Sequence, residues 1–87
     1  MLVYERAKTL MEAELGDELV GLEPEGGFCF GFNSVAKRVW ELLKEPRSTE
    51  ELTTVLLEEF DVTLSECATG LNEVLIDLIK MKLIRRR

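Results

Sequence analysis

The stretch Phe28-Cys29-Phe30-Gly31-Phe32-Asn33 joins two periodicities. A strand sends successive side chains to opposite faces, so Phe28, Phe30 and Phe32 line one face and Cys29 and Gly31 the other. From Asn33 onward the period becomes helical. Val35, Val39, Leu42 and Leu43 fall at i, i+4, i+7 and i+8, and Ala36 and Trp40 widen the stripe. Asn33 suits the N-cap, where its side-chain oxygen accepts from a free backbone N–H. Pro46 stops the helix, because the residue before a proline disfavours the α region.

Upstream, residues 7–12 are assigned a first strand and Gly16-Asp17 a turn. Glu18-Leu19-Val20-Gly21-Leu22 reads as a second strand, Glu23-Pro24-Glu25-Gly26-Gly27 as another turn, and residues 28–32 as the third strand. Short strands joined by tight turns predict an antiparallel meander with one face on a core. Paired in sequence order, it leaves the third strand as an edge. The glycines at 21, 26, 27 and 31 weaken the strands or admit another backbone.

Downstream, Ser48-Thr49-Glu50-Glu51 is a capping box opening a second helix, which runs to about Phe60 with Leu52, Val55, Leu56 and Phe60 inward. Thr63-Leu64-Ser65-Glu66 opens a third helix at Leu64, ending near Lys82. Leu64, Leu71, Leu75 and Leu78 share a face, flanked by Cys67, Ala68, Val74 and Met81, and Leu83-Ile84 adds a short closing extension. Gly70 costs about 1 kcal/mol relative to alanine in mid-helix, which predicts close packing against a neighbour. The expected fold class is α+β, a three-stranded antiparallel sheet followed by three helices. The short turn between the last two helices makes it winged helix-turn-helix-like, with the wing at the N-terminal end.

The 87 residues predict a single domain spanning 1–87. No apolar run reaches the roughly 20 residues of a membrane span, and charge arrives too early in the N-terminus for a signal peptide, so a cytoplasmic protein is expected. Histidine is absent, which removes the usual general base, zinc ligand and nucleophile activator. Cys29 and Cys67 lack metal-ligand spacing and are read as two buried thiols. Glu50-Glu51 and Glu58-Glu59 read as solvated surface, so neither an enzyme, a cofactor nor a metal site is expected.

Net charge is −6, from 11 basic and 17 acidic residues; without Arg85-Arg86-Arg87 it is −9, from 8 against 17. A body this acidic repels phosphate backbones, and the third helix offers Glu66, Glu73 and Asp77 where a recognition helix needs base readers. The arginine tail reads as a solubilising end. A peptide-binding edge fits better. An open strand presents N–H and C=O groups that template an incoming strand, while side-chain pockets give specificity. The alternatives are a winged-helix nucleic-acid-binding protein and a docking module whose edge pairs with itself.

Residues 32–43 (Phe32-Asn33-Ser34-Val35-Ala36-Lys37-Arg38-Val39-Trp40-Glu41-Leu42-Leu43) and Pro46-Arg47-Ser48-Thr49-Glu50-Glu51-Leu52 resemble the PqqD-like family. Glu59-Phe60-Asp61-Val62 matches that family's acidic-aromatic-Asp-Val junction. Residues 75–84 look like its closing Leu-x-x-Leu…Gly-Leu-Ile, with Lys82 where glycine is common. The likeness covers about residues 18–84. The resemblance implies a RiPP recognition element, a small winged-helix-like domain that binds leader peptides of ribosomally made, modified peptides. It implies a leader added as a strand beside Phe28, Cys29, Phe30, Gly31 and Phe32, in a cleft closed by Cys67, Leu71, Val74, Leu75 and Leu78. Glu73 and Asp77 form a charged rim. The resemblance is greatest to the standalone lasso-peptide type, which delivers a precursor to a separate leader peptidase and cyclase. The other candidate is the pyrroloquinoline quinone precursor-peptide chaperone.

Overall fold

A computed structural model describes residues 2–87. Its elements are β1 (Val3–Arg6), β2 (Met11–Leu15), β3 (Glu18–Leu22), β4 (Cys29–Phe32), α1 (Ser34–Leu42), β5 (Arg47–Ser48), α2 (Thr49–Glu59), α3 (Leu64–Lys80) and β6 (Ile84–Arg86). The fold is α+β, with an antiparallel β2-β3-β4 sheet followed by three helices, as the sequence indicates. A second antiparallel sheet, β5-β1-β6, was not expected.

The strand predicted over 7–12 lies instead at Met11–Leu15. The turn at Gly16, whose φ of 67° suits glycine, fixes the register with Leu15 opposite Glu18. Residues 7–10 connect the two sheets, and the Ala7 N–H donates to the Leu83 carbonyl at 2.8 Å. The arginine tail is likewise more than a solubilising end. It pairs with β1, and Arg85 and Arg87 both bridge to Glu5.

All three helix starts fall where capping chemistry puts them. Asn33 accepts from the Ala36 N–H at 2.9 Å, and Ser48/Glu51 and Thr63/Glu66 form reciprocal boxes. α1 ends at Leu42, before Pro46 can act. At the end of α3, Lys82 takes φ 61°, Lys82 N–H donates to the Ile79 carbonyl and Leu83 N–H to that of Leu78. These are the paired bonds of a left-handed helix stop. A glycine would take that φ without strain.

The core gathers Leu19, Phe32, Val39, Trp40, Leu43, Leu52, Leu71, Leu75 and Leu78, all at most 3% exposed. Trp40 ties both sheets to α1. Its ring stacks on Phe32 with centroids 5.7 Å apart, and its Nε1–H donates to Glu12 at 2.9 Å. The Arg6 guanidinium lies 3.9 Å from the Trp40 ring centroid and donates to its carbonyl. Burial lowers the pKa of Arg6, opposed by Glu12 and Glu41.

Several expectations fail locally. Leu64 is 64% exposed, because the first turn of α3 projects past the core. Cys29 is exposed, so only Cys67 is a buried thiol, and both are free. A Cβ on Gly70 would meet no heavy atom within 4 Å, so this glycine opens a notch rather than admitting a close neighbour. Gly21 does answer to packing: a Cβ there would come 2.7 Å from the Leu10 side chain.

Candidate functional site

The sheet order places β4 at an edge, paired with β3 alone among the described residues. Which of its backbone groups are free follows from the register. Glu23 N–H donates to the Phe28 carbonyl at 2.8 Å, and Gly21 pairs with Phe30 and Leu19 with Phe32. Antiparallel pairs alternate between hydrogen-bonded and non-hydrogen-bonded. Phe30 and Phe32 therefore direct their N–H and C=O groups toward β3, as Phe28 does its carbonyl, while Cys29 and Gly31 direct theirs outward. Two residues of β4 thus present an unpaired donor and acceptor each.

α3 runs alongside this edge. Gly31, Phe32, Asn33 and Ala36 on one side, and Val74, Asp77, Leu78 and Met81 on the other, enclose a cleft of about 140 Å³. Asp77 is its one titratable side chain; the rest of the wall is apolar or amide. Such an arrangement offers an extended chain a ladder of hydrogen bonds and a floor for apolar side chains.

The structure brings together only part of the residue set read from sequence. Gly31, Phe32, Val74, Leu78 and Asp77 meet at the cleft. Cys67, Leu71 and Leu75 are 6%, 1% and 3% exposed and belong to the core, although Leu71 and Leu75 also reach the wall of a groove on the other flank of α3 and Cys67 and Leu71 that of a notch near its start. Glu73 lies on the opposite flank of α3, in a groove with Leu2, Tyr4, Thr49 and Thr53. Phe30 is half-buried and Phe32 buried, as a core-facing pair should be, but Phe28 is 65% exposed beyond the strand end. Phe28 therefore does not anchor the sheet to the helices. Asn33, Ala36 and Met81 complete the cleft and were not singled out for it. For Asn33 and Ala36 the signal was position, since the cap and first turn of α1 directly follow the edge strand; Met81 closes the far end of α3.

A separate apolar notch lies farther along α3. Val35, Leu56, Phe60, Val62, Cys67 and Gly70 line a notch of about 80 Å³. On α3, positions 66, 70, 74, 77 and 81 follow one another at spacings of three or four, so notch and cleft share one helix face. Near the notch, hydrogen bonds from the Thr63 backbone and side chain hold the Glu66 carboxyl below its ordinary pKa, against a smaller effect of desolvation. Glu51 is lowered in the same way by Ser48.

Comparison with known proteins finds two matches. The family described as coenzyme PQQ synthesis protein D (PqqD) matches residues 18–84. Among solved structures, TbiB1 in complex with the TbiA(beta) leader peptide superposes with a TM-score of 0.78 at 27% identity, covering 93% of this chain and 94% of that one. No curated protein matches.

Proposed function

The chain belongs to the PqqD family, and from that premise we propose that it binds the leader peptide of a ribosomally synthesised, post-translationally modified peptide precursor. The leader adds as a strand beside β4, bonding to the outward groups of Cys29 and Gly31, and seats apolar side chains between β4 and α3. The observation that carries this is the open β4 edge facing an apolar helix wall. The structural likeness to TbiB1, a protein seen with a leader peptide, supports it. Backbone bonding supplies affinity, and the Val74, Leu78 and Met81 wall with the Gly70 notch supplies selection.

The finer reading is a lasso-peptide recognition element that acts in the cytoplasm and hands its leader to a separate peptidase and cyclase. It rests on the greater resemblance to the standalone lasso-peptide type. A pyrroloquinoline quinone precursor chaperone is the second reading, and the family's description favours it. In both, the protein is a binding module without catalysis of its own.

Calorimetry tests the proposal. The probes are the TbiA(beta) leader peptide and the leader halves of short precursors encoded beside this chain's gene. At least one should bind with one-to-one stoichiometry. Failure of every leader to bind, with DNA retarded at low salt or the protein self-associating instead, would refute it.

A further inference from the structure

β2 is inverted in polarity. In a sheet with one face on a core, polar side chains normally face water. In Met11–Leu15 the two carboxylates take the helix-facing side of the strand instead, Glu12 partly buried and Glu14 still 66% exposed. Glu12 accepts from Trp40 at 2.9 Å, and Glu14 reaches Lys37 on α1 at 3.4 Å. Met11, Ala13 and Leu15 are left outside, with Met11 60% and Leu15 62% exposed. The register continues this face across the sheet, setting Met11 opposite Leu22 and Ala13 opposite Val20. Leu22, 39% exposed, pairs in turn with Cys29, and Val20 with Gly31. Glu18 is the one charge on this face, and no described element covers it.

What covers such a face follows from its rim. Of the six acidic residues in 11–32, Glu12 and Glu14 lie on the other face and Glu23 pairs with Lys8 at 2.8 Å, which leaves Asp17, Glu18 and Glu25 without an ion pair among the described residues and no lysine or arginine in the segment. A second copy would bring carboxylates against carboxylates with no cation in the segment to pair them. A partner with an apolar patch rimmed by lysine and arginine fits both the face and its border. The face also ends at β4, whose outward residues there, Cys29 and Gly31, are small. A peptide strand added beside β4 extends the sheet, and alternate peptide side chains join the same face. A protein docked there touches the domain and the held peptide together.

We propose that the outer face of the β2-β3-β4 sheet docks the enzyme that acts on the bound peptide, through a basic-rimmed apolar patch on that enzyme. This rests on the peptide-binding reading above. Because the docked enzyme touches both, peptide and enzyme each strengthen the other's binding by the same factor.

The test titrates each modifying or leader-cleaving enzyme encoded beside the gene, purified singly, against wild type, Met11→Ser/Leu15→Ser and Glu18→Lys. Leader affinity, circular dichroism and solution mass are measured on the same samples. Enzyme affinity should fall about tenfold or more in the double variant, as when interface anchors are truncated. In Glu18→Lys it should fall and lose salt dependence, and in wild type it should rise when leader is present. Leader affinity should be unchanged in both variants. Unchanged enzyme affinity with leader binding intact overturns the docking face alone. A wild-type dimer that the double variant dissolves assigns the face to a second copy and also overturns it. Absence of leader binding by wild type overturns the peptide reading, and the proposal with it.

Discussion

Gly31→Pro separates the β4 edge as a binding element from β4 as part of the fold. The register directs the Gly31 N–H away from β3, so a proline there removes no bond of the native sheet. Proline is tolerated on an edge strand when its nitrogen faces solvent. The residue before it is pushed toward extended geometry, which Phe30 already has within β4. Replacing glycine also narrows the unfolded ensemble, so folding stability should hold or rise by up to about 1 kcal/mol. The incoming leader, however, loses one donor for a backbone carbonyl. One lost peptide hydrogen bond costs about 1–2 kcal/mol in such a setting. That predicts leader affinity roughly five- to thirtyfold weaker. Cys29→Pro, in the same phase, should behave alike. Phe30→Pro should instead destabilise the domain, because its N–H belongs to the ladder with Gly21. Calorimetry with the TbiA(beta) leader, beside urea denaturation of each variant, reads both quantities. A folded Gly31→Pro protein that binds leader like wild type would refute strand addition at this edge. Leaders N-methylated at single positions give the complementary readout: affinity should drop at alternate positions only.

Val74→Arg should abolish leader binding in a folded protein, since Val74 is a half-buried part of the cleft wall. Leu71→Arg should unfold the domain instead, because Leu71 is 1% exposed and an unpaired buried charge costs several kcal/mol; circular dichroism tells the two apart. Lys82→Gly should raise stability by roughly 0.5–1 kcal/mol in urea titration, relieving a side chain held at φ 61° while loosening the unfolded chain. Acid should destabilise the fold through both capping boxes. The folded pKa values of Glu51 and Glu66 lie below their unfolded ones, so their contribution is complete above about pH 4.3, the unfolded value, and is lost as pH falls through the folded values. A Glu51→Gln/Glu66→Gln protein should show a shallower loss of denaturation midpoint on acidification.

The parts of this fold legible in sequence are those written in local chemistry. Asn33, Ser48 and Thr63 place three helix starts to the residue, because a cap is satisfied within three positions of itself. The alternation at residues 28–32 gives a strand for the same reason. β1, β5 and β6 escaped because their pairing is not local. Tyr4 meets Arg47 and Arg86, partners that no short window brings together. The candidate site was half legible, for a reason of helical phase. Apolar residues cover much of the circumference of α3, so the leucine stripe alone does not say which flank meets β4. Cys67, Leu71, Leu75 and Leu78 mark the core side, while Gly70, Val74, Asp77 and Met81 mark the cleft side. The two sets are offset by a single position for most of their length, and one residue is about 100° of rotation. Leu78 serves both, and Cys67 and Leu71 also touch the notch. The strand has no such ambiguity, since a period of two leaves only two faces and the hairpin bond at Glu23 chooses between them. Strand phase therefore determines where a peptide would bond, and helix phase which of its side chains would be selected. The first is recoverable from residues 23–32. The second needs the angle at which α3 crosses the sheet, which depends on how Trp40 and Phe32 pack beneath it.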